Sequence, residues 1–332
     1  MTHAASSFRF ITATPVFLAC AVALTACGGG GGGGAGGTGG GGTAAPGGTS
    51  DAPTVGTAAL VATAKYGQKL VVTATGTGLD RVTGSTTGCK DFGISTTAPF
   101  VSTATTAYFQ CTVTAVGPAQ VVLKRPSDGA TLSTISFNVP MPQVRLTFSN
   151  GAGINNIVEV TLAPDKTPVT VDNFLSYVNS GFYKDTPIHR VVPGFVIQGG
   201  GYAGPFTAIP NGFTVPGIKP NSGTIVLEVN KGLSNTQWTI AMARLDAANT
   251  ATSQFYFNLV DNSAKLDPSA ATALSPANIG YAVFGAITLG TAAVAAIANP
   301  AIAPCASIPT FSSGNDCTPV PSVMLTKAEQ IL

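Results

Sequence analysis

The sequence predicts a mainly β protein with two folded regions behind an N-terminal segment of another kind. Three observations predict it. Apolar and polar residues alternate with period two in many short runs; Gly, Pro and Asp turns separate these runs; and a single helix-period stretch stands out, in the second region.

Residues 1–26 have a polar start with His3 and Arg9 and an apolar run from Phe17 to Leu24, and they end just before Cys27. A short apolar run with small residues behind it is a secretory signal and too short for a good membrane span. The closing tetrapeptide Leu24-Thr25-Ala26-Cys27 resembles a bacterial lipoprotein box, which implies cleavage before Cys27 and lipidation of that cysteine. Gly28 after it points to the outer membrane, facing the periplasm. Residues 27–52 are then a tether, almost all Gly from Gly28 to Gly48, which cannot bury enough apolar surface to fold.

Residues 53–141 carry the first set of strands. Leu70, Val72 and Ala74 alternate with Val71 and Thr73; Phe109, Cys111, Val113 and Ala115 alternate with Gln110, Thr112 and Thr114. Ile135, Phe137 and Val139 repeat the pattern after the turn Pro126-Ser127-Asp128-Gly129. Such spacing predicts a small β-sandwich of immunoglobulin type, a spacer or binding module without a catalytic grouping. Beyond Cys20 and Cys27, four cysteines remain: Cys89, Cys111, Cys305 and Cys317. None has the spacing of metal ligands. Four cysteines allow three connectivities, of which the two local bridges, Cys89–Cys111 and Cys305–Cys317, are the simplest in an oxidising compartment.

Residues 142–332 open with strand patterns at Val144, Leu146, Phe148 and at Val158, Val160, Leu162. Thr167 is placed to cap a helix with Pro168 at its first position and Gly181 just past its end. Val171, Phe174, Leu175 and Val178 form a single apolar face on it. A weaker helix is expected over Thr291 to Asn299. The apolar stretch from Ala286 to Ala303 is interrupted by Thr288, Gly290, Asn299 and Pro300 and is not a membrane span. Between the helices, Ile188 to Gly200 is predicted to form two short strands joined at Pro193-Gly194, with Arg190 and Gln198 on one face. An arginine, an aromatic ring and an amide gathered on a sheet surface suit an uncharged, apolar ligand with carbonyl groups.

Composition excludes several classes. Only 9% of residues are charged, 16 basic against 14 acidic with no basic stripe, so nucleic acid is a poor partner. The two histidines are His3, in the signal, and His189. A multi-histidine metal site is thereby excluded from the mature chain, and a Ser-His-Asp triad would have to use His189, which has no nucleophile elbow near it.

The stretch Ile188 to Gly200 resembles the signature of the cyclophilins, the peptidyl-prolyl cis-trans isomerases. Other pieces follow the family's order. Thr167 to Phe174 resembles the first helix, and Asn179 to Tyr183 the loop after it. Thr239 to Arg244 and Ala251 to Asn258 resemble the strands beside the active site, and Gly280 to Gly285 the strand before the second helix. The resemblance implies an eight-stranded antiparallel barrel with two helices. It implies that Arg190 stabilises the twisted X-Pro amide and that Phe195 walls the proline pocket, with Val196, Tyr256, Leu266 and Tyr281 around it. Gln198 is implied to orient Arg190 or a substrate carbonyl, Gln254 and the Ala243 backbone to hold the flanking peptide, and His189 to be structural. No cofactor and no metal is implied.

Against the family pattern, Val196 stands for methionine, Tyr256 for phenylalanine, Lys265 for an aromatic residue and Trp238 for a small one. Rate and drug affinity are the properties these changes touch. The expected function is therefore a lipid-anchored isomerase of the cell envelope, acting on proline-containing segments of unfolded or flexible envelope proteins. A cyclophilin-fold peptide-binding protein or holdase without useful catalysis is the alternative.

Overall fold

In the computed structural model, residues 52–209, 212–269, 279–299, 301–303, 305–307 and 317–332 are described. The alternating runs of the first region become seven strands: β1 (Thr54–Leu60), β2 (Lys69–Thr77), β3 (Thr83–Thr87), β4 (Cys89–Ile94), β5 (Thr106–Val113), β6 (Gly117–Lys124) and β7 (Thr131–Val139). They form two antiparallel sheets, β1-β2-β5-β4 and β3-β6-β7. Register places Leu70 opposite Cys111 and Val72 opposite Phe109, so the predicted inward residues meet across the ladder and are buried. Ala115 lies past the end of β5 and is exposed. The turn after β6 is built on Asp128, which accepts the Ala130 N–H at 3.0 Å and pairs with Arg125 at 2.9 Å. A disulfide joins Cys89 of β4 to Cys111 of β5.

The second region contributes β8 (Gln143–Ser149), β9 (Asn155–Leu162), α1 (Pro168–Asn179), β10 (Thr186–Val192), β11 (Val196–Gly199), and a small ribbon of β12 (Thr207–Ile209) and β13 (Gly212–Thr214). It continues with β14 (Thr239–Met242), β15 (Phe255–Asn258), α2 (Ser263–Leu266), β16 (Val283–Leu289), α3 (Thr291–Ile297), β17 (Cys305–Ser307), β18 (Cys317–Pro319) and β19 (Met324–Gln330). The circuit β11-β15-β14-β16-β9-β8-β19-β10 closes through the pairing of β10 with β11. It is an eight-stranded antiparallel barrel, with β18 and β17 added at β10. The apolar stretch around Ala286 is the end of β16 followed by the seven-residue α3, whose Ala293, Val294 and Ile297 are buried. The one-turn helix α2 is an addition to the two helices expected.

Helix α1 buries Val171, Phe174, Leu175 and Val178, and Phe174 meets the rings of Tyr183, Phe255 and Phe284 at 5.0–5.7 Å. Pro168 and Gly181 sit where the sequence places them, but Thr167 does not cap through its side chain. Its hydroxyl turns back to the Ala163 carbonyl, and the first-turn N–H groups of Val169 and Thr170 donate instead to the Glu228 carboxylate at 3.3 and 2.8 Å. A carboxylate at a helix N-terminus satisfies orphan donors and the helix dipole together.

Residues Ser50–Leu332 pack as one compact unit. The segment between β1 and β2 is tied to the end of β19: Lys65 Nζ donates to the Ile331 carbonyl at 3.1 Å, and Gln68 Nε2 to Gln330 Oε1 at 2.9 Å. Gln330 Nε2 in turn donates to the Tyr66 carbonyl at 3.0 Å. Tyr66 is bonded to Asp172 of α1, and burial with this neighbouring carboxylate pushes its hydroxyl pKa well up.

Candidate active site

The β10–β11 hairpin builds the site from local chemistry. Pro193-Gly194 makes the turn, with Gly194 at φ +69°, a conformation that favours glycine. Arg190 and Gln198 are then direct partners across the ladder, and both side chains emerge on one face. Arg190 Nη1 donates to Gln198 Oε1 at 3.4 Å, and Gln198 Nε2 donates to Gln254 Oε1 at 2.9 Å. The amide of Gln198 thus orients a guanidinium on one side and ties to a second amide on the other. Gln254 is pressed in place by Gly201, where even a Cβ would lie 2.6 Å from its Nε2.

Beside this relay is a cavity of about 230 Å³. Phe195, Val196, Tyr256 and Leu266 wall it; Arg190, Gln198, Ala243 and Tyr281 complete the lining, together with Arg244. Gln254 lies in an adjoining cavity of about 350 Å³, which shares Gln198, Ala243 and Arg244 with the first. The Ala243 N–H is used within the barrel, donating to the Gln254 carbonyl at 2.9 Å. His189 lines neither cavity. It is buried next to Tyr202, with ring centroids 4.8 Å apart, and bonded to the Pro187 backbone and the Gln254 side chain. Burial lowers its pKa to about 3, so it is neutral at physiological pH. A larger cavity, about 430 Å³ between the Tyr66–Gly67 turn, β5 and α1, has no comparable convergence of donors on an apolar wall.

Sequence reasoning missed the polar layer behind the pocket. Asn235 is fully buried and accepts at Oδ1 from the Tyr256 hydroxyl at 2.7 Å and from Asn258 Nδ2 at 3.2 Å. Its Nδ2 and backbone N–H both donate to Asp267 Oδ1 at 2.8 Å. Asn262 Nδ2 holds the Phe195 carbonyl at 2.9 Å, while Leu259 N–H donates to the same oxygen at 2.9 Å. These bonds fix Phe195, Tyr256 and the start of the segment after Leu266 relative to one another. The available signal was the pair of amides Asn258 and Asn262, one closing an aromatic strand and the other four residues on. Arg244 was also missed: its guanidinium stacks 4.3 Å from the Tyr281 ring centroid and donates to the Gly280 carbonyl at 2.9 Å.

Cys27 lies outside the described residues. Cys317 is disulfide-bonded and reaches the Val191 carbonyl at 3.5 Å; the side chain of Cys305 lies outside the described ones.

The family described as cyclophilin type peptidyl-prolyl cis-trans isomerase/CLD matches residues 145–329. Peptidyl-prolyl cis-trans isomerase A of Dickeya dadantii is 40% identical over 165 residues, half of this chain and 71% of that protein. Peptidyl-prolyl cis-trans isomerase B of Escherichia coli is 47% identical over 100 residues, 30% of this chain and 54% of that one. A cyclophilin type peptidyl-prolyl cis-trans isomerase of Cryptosporidium parvum, solved in the presence of the dipeptide Ala-Pro, aligns over 57% of this chain and 99% of that one, at 20% identity and TM-score 0.39. With the family match spanning more than half of its residues, the chain belongs to the cyclophilin-type peptidyl-prolyl cis-trans isomerase family.

Proposed function

We propose that this protein is a peptidyl-prolyl cis-trans isomerase whose active site is the pocket of Phe195 and the guanidinium of Arg190, and that it serves proline-containing segments of envelope proteins from a lipid anchor on Cys27. Rotation about an X-Pro bond faces a barrier of ~18–20 kcal/mol because the amide is conjugated. Twisting the bond removes that conjugation and returns a lone pair to the proline nitrogen. No covalent bond breaks, so the reaction asks for a grip on the ring and a donor that prefers the twisted state.

Phe195, Val196, Tyr256 and Leu266 supply the grip. Arg190 supplies the donor: its planar guanidinium presents several N–H groups, and the Gln198–Gln254 relay holds it before substrate arrives. Because the lone pair is available only as the bond twists, the interaction strengthens toward the transition state and lowers the barrier. The observation that carries this reading is the placement of Arg190 across the ladder from Gln198, on the rim of an apolar pocket.

The reading is tested by the isomerisation rate of a short Xaa-Pro peptide with Ser50–Leu332, beside Arg190→Ala. Loss of a preorganised donor of this kind costs on the order of 10²–10³ in rate. Acceleration that survives the substitution would remove Arg190 from the mechanism. Peptide binding without acceleration would favour the holdase alternative, to which the smaller Val196 in the pocket floor lends support. The envelope assignment is tested by radiolabelled fatty acid incorporation into the full chain and into Cys27→Ser.

A further inference from the structure

The pocket rim carries an excess of positive charge that the isomerisation itself does not use. Lys265 sits in α2, one residue before Leu266 of the pocket wall, with its Nζ 5.6 Å from the centroid of the Phe195 ring. Its side chain is exposed, and among the described residues it makes no ion pair. Arg244 lines the cavity, held by Tyr281 and by the carbonyls of Gly280, Leu245 and Asp246.

The carboxylates nearest Lys265 in the chain, Asp261 and Asp267, are engaged elsewhere. Asp267 accepts from Ser234 Oγ and twice from Asn235, in the layer behind the pocket. Asp261 accepts the Ser263 N–H at the start of α2. Between Asp267 and Asp316 the sequence has no charged residue at all. A peptide with its proline against Phe195 therefore passes an exposed ammonium that no carboxylate among the described residues pairs. A cation held over an aromatic face keeps its charge available at the ring's edge.

Resting on the isomerase reading of this pocket, we propose that Lys265 is a specificity-determining residue that selects X-Pro segments bearing an acidic side chain next to the proline. Exposed charge pairs of this kind are worth a modest factor each and weaken with salt. A preference of about two- to fivefold for Glu over Lys at the selected position is expected.

The test uses the full protein, Lys265→Gln and Lys265→Glu, with short peptides carrying Glu, Gln or Lys immediately before or after the proline. Both kcat/KM for isomerisation and Kd are measured, at low and at high salt. The proposal expects the order Glu, Gln, Lys at one of the two positions in the wild type, shrinking with salt, lost in Lys265→Gln and shifted toward the Lys peptide in Lys265→Glu. Equal rates and affinities across the three peptides overturn it, as does a preference that neither variant moves. If the Gln peptide is bound but not isomerised, the isomerase reading fails, and the Kd series alone decides the charge preference.

Discussion

The two halves of the compact unit are both antiparallel β structure, yet they bury different things. Of the buried polar side chains among the described residues, Ser95, just past β4, is the one in the first region. The barrel buries Thr167, Thr170, Thr186, His189, Asn235, Ser253, Asn258, Asn262, Thr318 and Ser322. Burying a polar group is costly unless it is hydrogen-bonded, and a fold that does so repeatedly needs a matching network. In the first region the interior is built from apolar alternation with one disulfide. In the barrel, three of the buried polar residues, Asn235, Asn258 and Asn262, form a layer behind the Phe195 pocket. Chemistry is found where the fold departs from the simple pattern.

The sharpest way to break this contrast is to remove the hub of the layer. Asn235→Ala removes the side-chain amide that the Tyr256 hydroxyl, Asn258 and Asp267 share in a closed site, while the backbone N–H at 235 still reaches Asp267. Buried groups left unsatisfied cost about 1–3 kcal/mol each, so a loss of about 3–4 kcal/mol in chemical denaturation is expected. Peptide isomerisation per folded molecule should fall with it, because the walls of the pocket lose their common anchor. A neutral outcome in stability would show that water replaces the amide, and that the layer is not what positions the pocket.

The counterpart in the first region is the double substitution Cys89→Ser with Cys111→Ser. Its expected cost is ~2–4 kcal/mol, chiefly through a freer unfolded chain. Unlike Asn235→Ala, it should leave the isomerisation rate per folded molecule unchanged. A rate that fell in parallel with stability would mean that the two halves are coupled through their contacts at Lys65, Tyr66 and Gln68.

Much of this architecture is written locally in the sequence. Pro168 and Gly181 bracket α1, the Pro193-Gly194 turn sets the hairpin, and alternation selects the inward faces of β2, β5, β8 and β9. What is not legible is set by distant partners. Closure of the barrel joins β16 to β9 and β19 to β8, pairings far apart in the chain. The cap of α1 comes from Glu228, more than sixty residues beyond the threonine that occupies the capping position. Helix α2 is four residues long, too short to show a period, although it presents both Leu266 and Lys265. Trp238 stands where the resemblance has a small residue and takes φ +67°, which no alternation pattern announces. Of the site, Arg190, Phe195 and Gln198 stand out because they share one hairpin. Asn235 does not, because a buried amide looks like a loop residue until its partners are known.

Acid sharpens the contrast in a graded way, because the single described histidine is buried in the barrel. His189 has a folded pKa of about 3, below its ordinary value of 6.5. Above pH 6.5 it is neutral in both states and contributes no pH dependence. As pH falls from 6.5 toward 3, the unfolded chain takes up the proton first and stability drops. By pH 5 the expected loss is about 2 kcal/mol. Denaturation followed from pH 7 to pH 4 should show this slope, and His189→Asn should flatten it. Isomerisation should show no inflection from His189 between pH 6 and 8, where the folded ring stays neutral; an inflection that vanished in His189→Asn would give the ring a part in the reaction.

The smallest expected effect separates the pocket wall from the layer behind it. Tyr256→Phe keeps the ring that lines the cavity and removes only the hydroxyl that donates to Asn235. Asn235 Oδ1 retains the bond from Asn258, so no buried acceptor is orphaned, and the loss should be about 1 kcal/mol. The isomerisation rate should stay within about twofold of the parent, since the gripping surface is unchanged. Tyr256→Leu, by contrast, removes the ring and its edge-on contact with Tyr281 and should raise KM. If Tyr256→Phe lost as much rate as Tyr256→Leu, the hydroxyl would be acting on the reaction through Asn235, and the layer would belong to the active site itself.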